Sequence, residues 1–186
     1  ILIIRNLDIN FLYNTILITA AFYLFFITLR DFFHKKYRNL SQITAHFSFS
    51  ILILSILFNN IFSSEIITNL KINETYQAQN LKINFESIEQ ENKQNFKAIK
   101  GKFIVEDQSG IIEVMQPELR IYNQPNIVTS EADIKTNIFT DKFMTMNYVQ
   151  NQDYFNIRYQ VKPFMIWIWI STFMLCLSGC LTLIRK

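Results

Sequence analysis

The sequence predicts a membrane protein: three transmembrane α-helices, with one extramembrane β-rich domain between the second and third helix. Three observations predict it. The runs Phe11 to Leu29, Leu40 to Ser64 and Phe164 to Ile184 contain no Asp, Glu, Lys or Arg. The stretch from Glu65 to Gln160 carries most of the charged and amide side chains and alternates in short β-rich segments. Basic residues collect at two places that an odd number of spans puts on one side of a bilayer. Together these divide the chain into a first helix with its basic loop (1–41), a second helix (42–63), a β domain (64–160) and a third helix (161–186).

The first run has the length of a span, since a hydrocarbon core of about 30 Å takes roughly 20 helical residues. A charge at a span's centre costs on the order of 3 kcal/mol on insertion scales, so charge-free runs of this length are a strong signal. A cleaved signal peptide is disfavoured: Arg5 and Asp8 nearly cancel where a basic region belongs, and no small-x-small cleavage site follows. After the first run come Arg30, His34, Lys35, Lys36 and Arg38 against Asp31, and after the third come Arg185 and Lys186. The positive-inside rule places both clusters on the cytoplasmic or matrix side, and the β domain opposite, in the periplasm or intermembrane space.

Within the polar domain, Leu81 to Phe85 alternates, and Lys102 to Val105 leads through Asp107-Gln108-Ser109-Gly110 into Ile111 to Met115 as a hairpin. Leu119 to Asn123, closed by Pro125, is a further strand, as are Asp133 to Phe139 and Tyr154 to Val161. The charge-mixed stretch Glu86 to Lys97 reads as a loop or a long hairpin tip.

The domain contains neither His nor Cys, which removes zinc hydrolysis and Cys/His nucleophilic chemistry from it. Its carboxylates read as a solvated face, and there is no glycine-rich phosphate loop. The net charge of +3, with no basic stripe interleaved with aromatics, gives no support to nucleic acid as a partner. Cys176 and Cys180 are four apart in the third span, a poor geometry for a disulfide in a continuous helix, and read as small residues packing against another helix. Heavy use of Asn, Ile, Lys and Phe with three glycines matches an AT-rich, for example mitochondrial, genome.

His46 stands apart. It lies in the second span, within Thr44-Ala45-His46-Phe47-Ser48. An ionisable side chain in a span faces a partner, a cavity or a cofactor, because lipid offers it no hydrogen bond. Three roles stay open from the residue alone: a hydrogen bond to a neighbouring helix, haem or metal ligation, and proton transfer. A neutral imidazole suits haem iron. His34, among basic loop residues, reads as interfacial.

Three ordered segments then resemble the C-terminal part of the CcmF family, the haem lyase component of the multi-subunit cytochrome c maturation system. The first is Ala45-His46. The second is Arg120-Ile121-Tyr122-Asn123 followed by Thr129-Ser130-Glu131-Ala132-Asp133-Ile134, in place of the family's Arg-x-Tyr and Thr-Glu-Ala-x-Ile. The third, the most specific, is Lys162-Pro163-Phe164, Trp167-Ile168-Trp169 and later Gly179. The likeness covers about residues 35–186.

The resemblance implies a subunit or fragment of a cytochrome c haem lyase that assists covalent haem attachment to apocytochrome c. It implies a haem b with His46 as an axial iron ligand and the second ligand from another chain or missing segment. The family's Trp-rich motif, its two outer-side haem-binding histidines and its second transmembrane histidine are absent from the sequence, so the chain is not a complete enzyme alone. It reads as a fragment or as one product of a split gene. Implied partners are the membrane, the haem lyase chain with the Trp-rich motif, and apocytochrome c. The implied location is the mitochondrial inner membrane with the β domain facing the intermembrane space, or a bacterial inner membrane with a periplasmic domain. Ser48 and Ser50 stand where the family has glycines beside the histidine. Trp167 and Trp169 read as interfacial anchors or haem contacts, and Arg158 and Lys162 as partners of haem propionates or lipid phosphates. The alternative is a non-catalytic accessory subunit of a respiratory-chain complex, derived from a haem lyase.

Overall fold

A computed structural model describes residues 9–34, 40–78, 81–107, 110–149 and 152–184. Arg5, Asp8, Lys35, Lys36, Arg38, Arg185 and Lys186, and the turn residues Gln108 and Ser109, lie outside the described residues. The chain forms two compact units. One contains the helices α1 (Ile9–Phe33), α2 (Leu40–Phe62) and α3 (Met165–Ile184), together with the turn Asn137–Thr140. The other holds the strands.

The helices are 25, 23 and 20 residues long, or about 37, 34 and 30 Å at the α-helical rise, enough to cross a hydrocarbon core. Each has a mean hydropathy of 1.7 to 1.8 over its span. α2 packs against both of its neighbours. Lipid supplies no hydrophobic drive between spans, so close approach through small residues has to hold them. On α2, Ser41, Ser48 and Ser55 recur every seventh position, and on α3 Ser171 and Ser178 do the same. Ser48 and Ser171 are fully buried, and the Ser41 hydroxyl donates to the Ser178 carbonyl across the seam at 2.7 Å. The buried hydroxyls are satisfied on their own helices: Ser48 donates to the Thr44 carbonyl and Ser171 to that of Trp167. Ser50 lies about 200° around α2 from Ser48 and is buried on the opposite side, with Leu57 seven residues on. On α1 the buried pair Ala21 and Thr28 has the same spacing. Phe25 meets Phe47 with ring centroids 5.3 Å apart.

Cys176 and Cys180 are not packing residues here. Both are free and exposed on α3, because the seam toward α2 is occupied by Ser171 and Ser178 on another face of the helix.

The second unit is a two-sheet β domain. Its strands are β1 (Ser64–Leu70), β2 (Thr75–Ala78), β3 (Leu81–Asn92), β4 (Phe96–Asp107), β5 (Ile112–Met115), β6 (Glu118–Tyr122), β7 (Val128–Glu131), β8 (Asp133–Thr136), β9 (Thr140–Tyr148) and β10 (Phe155–Pro163). One sheet runs β1-β10-β9-β8; the other runs β2-β3-β4-β6-β7, with β5 also on β4. Alternation puts every second side chain between the sheets: Phe103 and Val105 of β4, Met144 and Met146 of β9, Ile157 and Tyr159 of β10 are all buried. Phe85 and Phe103 stack at 4.3 Å. Burial, followed by the nearby Glu113 and Asp107 carboxylates, pushes the Tyr159 phenol up to about 12.

β4 serves two strands on one edge. Residues 96–100 pair with β6 and residues 103–106 with β5. Gly101 sits between these stretches and donates its N–H to the Pro117 carbonyl at 3.0 Å.

One expectation is narrowed and one corrected. Of the two readings of Glu86 to Lys97, a loop or a long hairpin tip, the structure has the hairpin: β3 and β4 are 12-residue strands whose turn lies at 93–95. It is charge-mixed because it is an exposed ribbon with cross-strand ion pairs, such as Lys100 to Glu91 at 3.0 Å. The carboxylates are not all solvated. Asp141 is 8% exposed, and Glu113 of β5 pairs with Lys142 of β9 at 2.8 Å between the sheets.

A Cβ on Gly101 would lie 2.6 Å from the Phe103 ring and 2.8 Å from the Met146 sulfur. Gly101→Ala is therefore expected to destabilise the β domain by about 1–3 kcal/mol, the usual cost of overpacking a core. Thermal unfolding of the full chain in detergent, followed by circular dichroism, checks this; an unchanged midpoint would show that the core has room.

Candidate functional site

His46 lies in the second turn of α2, at the rim of the face toward α1. It is exposed and makes no hydrogen bond with another described residue. It lines a pocket of about 220 Å³ with Thr28 and Asp31 of α1, His34 just beyond α1, and Gln42 and Ile43 of α2. Gln42 is one turn before His46, hence on the same face. The Asp31 carboxylate is held by Arg30 at 3.1 Å, and His34 Nδ1 lies 3.1 Å from the Arg30 carbonyl. An apolar pocket of about 260 Å³ shares Thr28 and Ile43 and adds Leu29, Phe32, Phe47 and Met174.

Haem ligation can be tested on these observations. The imidazole is a suitable donor, exposed and without a hydrogen bond to another described residue. The pocket beside it is smaller than the roughly 300–1,000 Å³ typical of a small-molecule site. The donor atom suits a haem, and this pocket by itself does not enclose one. Among the described residues no group of three or more His, Cys, Asp or Glu is placed to hold a metal ion.

Sequence reasoning assigned His34 to the loop and missed that it shares a pocket with His46. Twelve residues separate the two, and only the return of α2 along α1 joins them. Ser48 and Ser50, which stand where the family has glycines beside the histidine, are fully buried on opposite sides of α2.

The second motif is architectural. Arg120 of β6 is opposite Thr129 of β7 in register. Its guanidinium lies 5.1 Å from the Phe96 ring centroid and pairs with Glu118 at 3.1 Å and Glu131 at 3.8 Å. The Glu118 hydrogen bond, then that of Tyr122, holds the Arg120 pKa above its ordinary value. Ser130 donates to the Met146 carbonyl of the facing sheet at 2.7 Å. Asp133 accepts from the Gln116 N–H at 2.7 Å. These residues build the corner where the chain crosses from one sheet to the other.

The third motif pins the start of α3. The Pro163 carbonyl accepts from the Asn59 side chain in the last turn of α2 at 2.7 Å. Phe164 takes a left-handed conformation, φ 60°, uncommon for a residue with a Cβ. In that conformation its N–H donates to the Phe139 carbonyl at 2.7 Å, and its ring packs on Phe58 at 5.5 Å. The Trp167 indole donates to the Ile138 carbonyl at 2.9 Å. Trp169 is 68% exposed. Arg158, expected to meet anionic groups from outside, is bonded to Glu65 of β1, and that hydrogen bond holds the Glu65 carboxyl below its usual range. Lys162 stands over the Phe143 ring at 5.9 Å.

The family model of the CcmF C-terminal β-sandwich matches residues 61–163, more than half of the chain. The chain belongs to this family. Its relatives include the cytochrome c-type biogenesis protein Ccl1 of Rhodobacter capsulatus, 27% identical over 113 residues, 61% of this chain and 17% of that protein. CcmF of Haemophilus influenzae is 24% identical over 164 residues, 86% of this chain and 25% of that protein. CcmF of Escherichia coli is 23% identical over 142 residues, 76% of this chain and 22% of that protein. The structure of a cytochrome c haem lyase CcmF superposes with a TM-score of 0.62 at 15% identity, covering 91% of this chain and 28% of that one. The chain thus spans a quarter or less of the length of these curated CcmF and Ccl1 relatives. The matched region includes the Arg120 to Asp133 corner and Lys162-Pro163, the start of the third motif.

The serine seam gives a direct test of the helix packing. Ser48→Leu is expected to lower resistance to unfolding by sodium dodecyl sulfate, by about 1–3 kcal/mol, since the fully buried Ser48 position has no room for the branched leucine side chain. Phe49→Leu, at an exposed neighbouring position, is expected to leave it unchanged; equal effects of the two would remove the seam from the account.

Proposed function

We propose that this chain is a part of a cytochrome c haem lyase, and that His46 would hold the iron of a haem b whose site another chain completes. The observation that carries the reading is His46 itself: an ionisable side chain within a span, exposed and without a hydrogen bond to any other described residue. Such a group is costly in lipid unless something outside meets it. Membership of the CcmF family, with relatives named for cytochrome c biogenesis, supports a cofactor of that system as what meets it.

In this reading the reaction served is addition of the two thiols of a Cys-x-x-Cys-His segment of apocytochrome c to the two vinyl groups of substrate haem. Each addition forms one C–S bond and transfers the thiol proton to the neighbouring vinyl carbon. The resident haem b, when bound, supplies electrons that keep the substrate iron reduced. The role of this chain is to hold and orient. His46 offers an imidazole nitrogen as ligand, α1 and α3 hold α2 in place through their seams, and the β domain lends a face where haem and apocytochrome meet. The basic residues after the first and third spans support an orientation with that domain on the outer side, the intermembrane space if the membrane is mitochondrial.

The test is the absorption spectrum of the purified assembly. His46→Ala is expected to abolish or shift the low-spin haem b bands while the assembly stays intact by size-exclusion chromatography. An unchanged low-spin spectrum would remove His46 from the ligand role.

A further inference from the structure

The turn Asn137–Thr140 joins two strands of the β domain, yet it packs with the helical unit. Its own side chain explains how the turn closes. Asn137 Oδ1 accepts the N–H groups of Phe139 at 2.9 Å and Thr140 at 2.7 Å, an Asx-type turn, and Asn137 N–H donates to the Thr140 carbonyl at 3.0 Å. The two carbonyls at the tip are taken by α3: Ile138 by the Trp167 indole and Phe139 by the Phe164 N–H. The polar groups of the tip are thus largely used up internally.

Its side chains are the reverse. Ile138 is 61% exposed and Phe139 63% exposed, two large apolar residues in succession at the tip of a turn. The partners that hold them are in the first turn of a span, level with the last turn of α2 through the Asn59–Pro163 hydrogen bond. Around the same level Phe62 and Trp169 are exposed. Phe139 also lines an open, apolar groove together with Phe25, Phe47, Phe58, Phe164 and Trp167 of the helical unit.

We propose that the β8–β9 turn is a membrane-inserted wedge: Ile138 and Phe139 enter the interfacial layer of the bilayer beside Trp167 and Trp169, giving the chain a fourth membrane contact made by a hairpin of its extramembrane domain. The occupant of this surface is lipid. Non-helical backbone enters lipid only with its polar groups satisfied, and here the carbonyls of Ile138, Phe139 and Thr140 and the N–H groups of Asn137, Phe139 and Thr140 are bonded. Tryptophan beside it is the residue that favours this layer. A short apolar tip on a rigid hairpin buries its side chains in the headgroup–acyl boundary as an amphipathic helix does. The proposal does not depend on haem or on His46.

The test uses the full chain with Cys176→Ser and Cys180→Ser, reconstituted in vesicles of phosphatidylcholine and phosphatidylglycerol. Nitroxide labels go on Ile138→Cys and Phe139→Cys, each alone. Gln90→Cys on the exposed β3–β4 ribbon serves as the water reference and Phe173→Cys on α3 as the lipid reference. Power saturation measures accessibility to oxygen and to a water-soluble nickel chelate. The wedge predicts nickel accessibility several-fold below that of the Gln90→Cys site, and oxygen accessibility close to that of the Phe173→Cys site. Nickel accessibility equal to the water reference would overturn it, placing the tip in solvent. Low accessibility to both reagents would also overturn it, placing the tip against protein. Circular dichroism identical to the parent verifies the fold before labelling, and if Phe139→Cys does not fold, Ile138→Cys carries the test alone.

Discussion

A polar group in a bilayer must find its partner in protein, because lipid offers none. The helical unit is arranged around that constraint. The hydroxyls buried in the α2–α3 seam are bonded to carbonyls of their own helix, and Ser41 reaches across to Ser178. Asn59, the amide in the last turn of α2, caps the Pro163 carbonyl. His46 departs from the arrangement. It is the ionisable residue of α2, it faces outward, and among the described residues nothing bonds it. The partner that the same rule asks for is not among the described residues.

The second point on which the structure turns is the passage from β10 into α3. A proline carbonyl, a left-handed phenylalanine and an indole N–H together tie α3 to α2 and to the Asn137–Thr140 turn. Phe164, in its uncommon left-handed conformation, donates its N–H to the Phe139 carbonyl. This gives the Lys-Pro-Phe and Trp-Ile-Trp segments a physical role that needs no cofactor: they set where the sandwich ends and the span begins. The corner from Arg120 to Asp133 has a similar role between the two sheets, through Ser130 and Asp133.

The helices were legible because the signal for a span is long, charge-free and cumulative, and so was their order around a β domain. The hairpin at Asp107 to Gly110 was legible from turn residues flanked by β-branched runs. Other features were hidden for identifiable reasons. β1 follows α2 with one residue between them, and what defines it is its pairing with β10, far along the chain. β9 mixes Met and Thr with Lys and Asp, and its pairing with β10 and β8 is what defines it. The stretch from Glu86 to Lys97 left loop and long hairpin tip both open, because cross-strand ion pairs leave no pattern in one strand read alone. In the site, His46 was found because an ionisable residue in a span is conspicuous. Its neighbourhood with His34 was not, because helix–helix contact is invisible to local sequence. The seven-residue serine spacing was present in the sequence and is the signal that would have assigned Ser48 to a helix seam.

The central claim is that this CcmF-family chain is one part of a haem-handling membrane assembly whose missing part meets His46. Mass spectrometry of the intact complex purified through this chain, with an absorption spectrum of the same sample, tests it most directly. The account predicts a second membrane chain carrying a Trp-rich segment and a transmembrane histidine, bound together with haem b. Stoichiometric co-purification with oxidase or reductase subunits, and no haem bound to this chain, would contradict it.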